Sequence, residues 1–137
     1  MADLVYGAPI TLAEARKVVE AALAEAAKNG WTMAVAVLDT GGHLVCFAKM
    51  DNTQHASVQV SQDKARSAVM FKRPTKAFED MAAAGFAGQR VFGLAGAAPV
   101  EGGLPLVKDG KIVGSIGLSG GTGQQDGQCA QAGAAAL

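Results

Sequence analysis

Residues 101–126 read EGGLPLVKDGKIVGSIGLSGGTGQQD, and the fold turns on how this stretch is parsed. Leu104 to Val107 is a short apolar strand. Asp109-Gly110 is a two-residue turn of the kind that accepts positive φ and closes antiparallel strands. Ile112 to Leu118 is the return strand, with Gly114 and Gly117 removing side chains where another backbone or a ligand comes close. Ser119-Gly120-Gly121 breaks that strand. Thr122, with Gln125 three residues on, is a capping box that opens a helix. A glycine loop running into a helix leaves backbone N–H groups free at the positive end of the dipole, a place for a carboxylate or phosphate. No Gly-Lys-Ser/Thr follows, which excludes a P-loop. The preceding strand belongs to a hairpin and not to a βαβ unit, which excludes a dinucleotide fingerprint.

Working outward, residues 1–10 form a short arm. Thr11 and Glu14 make a second capping box, with Ile10 as its hydrophobic staple. A helix follows from about Leu12 to Lys28, its apolar face built from Leu12, Ala15, Val19, Ala22, Leu23 and Ala26, and Asn29-Gly30 stops it. Trp31 to Leu38 is apolar on both faces and predicts a central strand. Asp39-Thr40-Gly41-Gly42 turns the chain into a partner strand, His43 to Lys49. Asn52 or Thr53 caps a helix from about Gln54 to Lys72, with Val58, Ser61, Ala65, Ala68 and Val69 as its stripe. Pro74 ends that run. A third helix spans roughly Lys76 to Ala84, up to Gly85. The glycine-rich segment 85–103 predicts a helical turn near Gln89 and a short strand around Leu94 to Val100. The last helix runs from Gly123 to about Ala136, with Gln125, Cys129, Ala132 and Ala136 facing the protein. Two hairpins plus the short strand make an antiparallel sheet of about five strands with helices packed on its faces, an α+β domain.

The 137 residues fit a single domain, 1–137. Half of them are apolar and the formal charge is zero, so no basic stripe marks a nucleic-acid partner. No apolar run approaches the roughly 18 residues of a membrane span. The N-terminus lacks a basic region followed by an apolar one, so the expectation is a cytoplasmic protein with Cys46 and Cys129 reduced.

Few side chains offer chemistry. His55 stands at the start of the second helix, where a neutral imidazole can ligate a metal or a heme iron; the bland alternative is an exposed first-turn histidine. His43 reads as an exposed strand residue. Cys46 and Cys129 read as small buried hydrophobes, and no Cys-x-x-Cys or His-x-x-x-His pair predicts zinc. Lys64 and Arg66 can hold an anionic group such as a carboxylate or a heme propionate, or can be solvated charges, Arg66 paired with Asp63. Of the two, Lys64 lies closer to the apolar stripe. Glu101, before two glycines, is a general base, a cap or a surface residue. Asp126 is explained by the helix dipole. Ser119 and Thr122 bond a ligand or serve only the turn and the cap.

Three stretches carry a resemblance: AVAVLDTGGHLVCFAKMD at 34–51, SQDKARSAV at 61–69 and the glycine-loop stretch at 101–126. In this order they resemble the GlcG/HbpS family, which includes PduO C-terminal-like domains. The resemblance implies a profilin-like antiparallel sheet, homo-oligomers that are often octamers, and heme binding in some members. It also implies a gene neighbourhood of small-acid or diol catabolism, with the GlcG branch the closer one. The family often has a Gly-Ala-Pro-like stretch after Met-Asp; here Asn52-Thr53-Gln54-His55 stands in its place, so His55 is a candidate by its chemistry and not a ligand carried over.

The expectation is therefore a small-ligand-binding protein, with heme or a related cofactor the leading ligand. The pocket is expected between the start of the second helix and the glycine loop. His55 would approach the iron, while Lys64 and the Ser119, Gly120, Gly121 and Thr122 amides hold acidic groups. The alternative is an isomerase- or lyase-like enzyme acting on a small hydroxy- or keto-acid, with Glu101 or His55 moving the proton and the amides stabilising an enolate.

Overall fold

The computed structural model describes residues 3–137, so the first two residues of the expected arm lie outside it. Nine elements follow in order: α1 (Leu12–Lys28), β1 (Ala34–Asp39), β2 (Leu44–Lys49), α2 (Ser57–Met70), α3 (Thr75–Ala84), a 3-10 helix (Phe86–Gly93), β3 (Gly103–Lys108), β4 (Lys111–Ser119) and α4 (Gly123–Ala135). The strands form one antiparallel sheet in the order β2-β1-β4-β3. β1 and β4 are central and buried on both faces, as the unbroken apolar run before Asp39 requires. Helices α1 and α4 cover one face around Val35, Val37, Ile116 and Leu118, while α2 covers the other around Ala36 and Leu38.

The sheet has four strands, not about five, because 94–100 does not become one. Its backbone groups are used elsewhere. Leu94 and Ala97 N–H bond back to Val91 and Leu94 in successive turns, and Ala98 N–H bonds to Ser67 Oγ on α2. Gly96, at φ +86°, turns the chain between them. The helical turn expected near Gln89 is present.

Other boundaries came close. Both capping boxes form, Thr11 with Glu14 and Thr122 with Gln125. At the β3–β4 turn Asp109 and Gly110 both take positive φ, +52° and +74°, which matches the strand twist of a tight hairpin. Two expectations fail at α2. Neither Asn52 nor Thr53 caps it, and it starts at Ser57, because Asn52 is left-handed and Thr53 is buried in the preceding turn. The buried side of α4 is Asp126, Gly127, Cys129, Ala130 and Gly133, rotated from the expected stripe. Glycines at 127 and 133 let α4 lie close against Glu101 and Ile116, and that contact, not hydrophobicity, sets the rotation.

The α2 layer is unusually thin. A Cβ on Gly117 would lie 2.0 Å from Ser61 O, and one on Gly103 would lie 2.4 Å from Lys64 O. Helix backbone therefore rests on sheet backbone.

Candidate functional site

The close packing of α2 brings its first turn beside the end of β4. Ser119 Oγ donates to Ser57 Oγ at 2.9 Å, and both serines are buried. The first turn of α2, which follows His55, thus meets the end of β4 just ahead of the glycine loop. His55 is exposed, two residues ahead of that serine pair, and its ring has no hydrogen-bond or ion-pair partner among the described residues. Beneath the turn, Thr53 Oγ1 is buried with no partner.

The loop itself is held from inside. Gly120 sits at φ +149° with its Cα against the Thr32 carbonyl; a Cβ there would lie 2.3 Å from that oxygen. Gly121 N–H donates to Asp126 Oδ1 at 2.9 Å, and Thr122 N–H donates to Gln125 Oε1 at 3.0 Å. Lys64 is 2% exposed, and its Nζ donates to Asp126 Oδ2 at 2.7 Å. Burial pushes the Asp126 carboxyl up, against the opposing pull of Lys64 and the Gly121 amide.

Lys64 and the Gly121 and Thr122 amides, expected to hold an external anion, here hold the protein's own Asp126 and Gln125. A ligand carboxylate would have to displace them. Asp126 is likewise more than a residue at a helix dipole; it is the centre of this network.

Glu101 lies half-buried along the first turn of α4, its carboxylate against Gly127, where a Cβ would come within 2.3 Å of Oε2. Its backbone N–H donates to Glu79 Oε1 at 3.3 Å. The hydrogen bond from Lys76 holds the Glu79 carboxyl below its usual range. Glu79 was missed because its visible partner was Lys76, one turn away on the same helix, and nothing local marks its contact with residue 101. With Glu79 and Glu101 facing it, the start of α4 already has negative charge at its positive end.

The remaining candidates fall into place simply. His43 Nδ1 lies 3.1 Å from Asp39 Oδ1 on the exposed β1–β2 turn, far along α2 from His55. Cys46 is half-buried on β2, and burial pushes the Cys129 thiol up to about 11, so it is an inert core residue. Arg66 makes no ion pair with Asp63, whose carboxylate accepts from Gln59 instead. No group of three or more His, Cys, Asp or Glu among the described residues can hold a metal ion, and no helix there is long and apolar enough to cross a membrane. Surface clefts open beneath the N-terminal arm and along the outer side of α2 at Arg66; neither includes His55.

Fold and site define a class: an α+β domain of four antiparallel strands between helical layers, with a free histidine beside an internally braced glycine loop. The chain belongs to the HbpS-like family, whose model, described as haem degrading protein HbpS-like, matches residues 10–135. It is 42% identical over 105 residues to Protein GlcG of Escherichia coli K12, covering 77% of each chain. A crystal structure of an HbpS double mutant from Streptomyces reticuli superimposes with a TM-score of 0.87 at 30% identity, covering 100% of this chain and 92% of that one. A crystal structure of a PduOC:heme complex superimposes at 0.83 with 25% identity, covering 94% and 95%.

Proposed function

We propose that this protein binds heme, with His55 supplying the iron ligand and the slot completed by a second copy of the chain. The observation behind this reading is the unpartnered imidazole of His55, presented on a turn that the Ser57–Ser119 bond fixes in place. An imidazole nitrogen not engaged by the protein is one of the donors that ligate heme iron, beside thiolate, thioether and phenolate. The relative solved as a heme complex supports the choice of ligand. In this reading Ser119, Gly120, Gly121 and Thr122 shape one wall, with Lys64 behind them, and none of them is a charged contact to the ligand. Self-association is supported by the exposed rings of Phe86 and Phe92.

Proton transfer on a small hydroxy- or keto-acid has less support. Glu101 is present beside the loop, but the cation and amides needed for the acid's carboxylate are bonded internally. The test is titration of the purified protein with hemin, followed at the Soret band, beside His55→Ala and His43→Ala. Saturable binding with a shifted band, lost in His55→Ala and kept in His43→Ala, is expected. Saturable binding unchanged in His55→Ala removes the histidine from the site, and no saturable shift in the parent protein overturns the heme reading.

A further inference from the structure

The buried Lys64–Asp126 pair is left without a role by the ligand reading, and its stability value does not explain it. Taking two charges out of water costs several kcal/mol each, and a well-packed apolar pair often serves as well or better. Nor is Asp126 needed as a cap, because Thr122 and Gln125 already cap α4. What distinguishes the pair is its path. Lys64 belongs to α2 on one face of the sheet, and Asp126 to α4 on the other. They meet past the end of the sheet, through a gap left by Gly102. A Cβ at Gly102 would lie 2.9 Å from Lys64 Nζ, 2.9 Å from Asp126 Cβ and 2.8 Å from the Leu118 carbonyl. The second oxygen of Asp126 then takes the Gly121 N–H. The α2 helix is therefore tied to the glycine loop at two points, Ser57 to Ser119 and Lys64 through Asp126 to Gly121.

We infer that Lys64 and Asp126 are positioning residues: an internal latch that fixes the glycine loop against the α2 turn bearing His55. The latch rests on the ligand reading only for its effect on hemin, since loop order is measurable without any ligand. Two ties are needed because one leaves a rotation about itself. The serine pair fixes the base of the loop, and the ion pair fixes its far side at Gly121.

The test uses the full chain carrying Lys64→Met and Asp126→Leu together, which removes both charges and strands neither. Asp126→Asn, which keeps an oxygen for Gly121, is measured beside it. Amide hydrogen exchange, denaturant unfolding and hemin titration are recorded on each. The double variant is expected to keep a denaturation midpoint near the parent's, while exchange at Gly121 rises about tenfold and hemin affinity falls about tenfold, the worth of one buried hydrogen bond. Asp126→Asn keeps an oxygen for Gly121 but leaves the buried Lys64 ammonium unpaired, so its denaturation midpoint is expected to fall below both the parent's and the double variant's. The latch is overturned if Gly121 exchange is unchanged in the double variant. It is equally overturned if that variant fails to fold, or if exchange rises only in step with a lost midpoint, for then the pair is structural. If the parent takes no hemin, the ligand reading fails, and the exchange result still decides the latch.

Discussion

Glu14 shows how much one half-buried carboxylate is asked to hold. It accepts from the backbone and the hydroxyl of Thr11, and from Lys108 at the end of β3, so it closes the start of α1 and ties that helix to the second hairpin. The Lys108 ammonium, followed by the Thr11 amide, lowers its pKa to about 2. A folded-state value depressed below the unfolded one means stability that is fully present above about pH 4.5 and is lost as the pH falls toward 2. Glu14→Gln is therefore expected to melt below the parent at pH 6, with the gap closing between pH 4.5 and 2.5. A gap that stays constant across that range contradicts the assignment. The capping box was legible because its members are three residues apart, whereas Lys108 lies 94 residues away. The same limit hid the Lys64–Asp126 pair. Lys64 could be singled out by its place near an apolar stripe, but its partner is 62 residues on, and a dipole account of Asp126 sufficed locally.

Among the elements, α2 depends most on what the sheet lacks. The Gly117 position faces Ser61 O at 2.0 Å and Ala65 N at 2.6 Å from a would-be Cβ, and backbone cannot rotate aside as a side chain does. Gly117→Ala is expected to destabilise the protein by about 1–3 kcal/mol, the usual range for overpacking. Gly93→Ala, with open space around it, is the control and is expected to leave the denaturation midpoint nearly unmoved. Equal midpoints for the two variants would show that α2 can lift without cost. The helices and hairpins were legible because their periods and turns are local properties. The α4 face was not, since a helix of Ala, Gly and Gln has no strong apolar stripe, and its contacts at Gly127 and Gly133 decide its rotation. Segment 94–100 misled for a related reason: it is apolar enough for a strand, but α2 offers Ser67 Oγ to its amide before any strand does.

Across the whole molecule, the apolar surface is unevenly placed. Phe86 is 96% and Phe92 69% exposed, with Leu94 and Val100 exposed on the same 85–102 segment. Large aromatic rings left in water are a common mark of a protein–protein surface. Phe86→Ser with Phe92→Ser is expected to shift the sedimenting species from an assembly to a lower mass while the circular dichroism stays unchanged. A parent protein that sediments as a monomer removes the proposal that a second copy completes the slot. The backbone-on-backbone contact of α2 also governs how such a domain can diverge. Where the floor is Gly103 and Gly117, there is no side chain to exchange, so sequence drift cannot reshape the site from below. Under the proposed heme reading, what is open to change is the His55 turn, the 85–102 segment and the surfaces offered to a second copy, while α2 and the central strands stay a fixed platform.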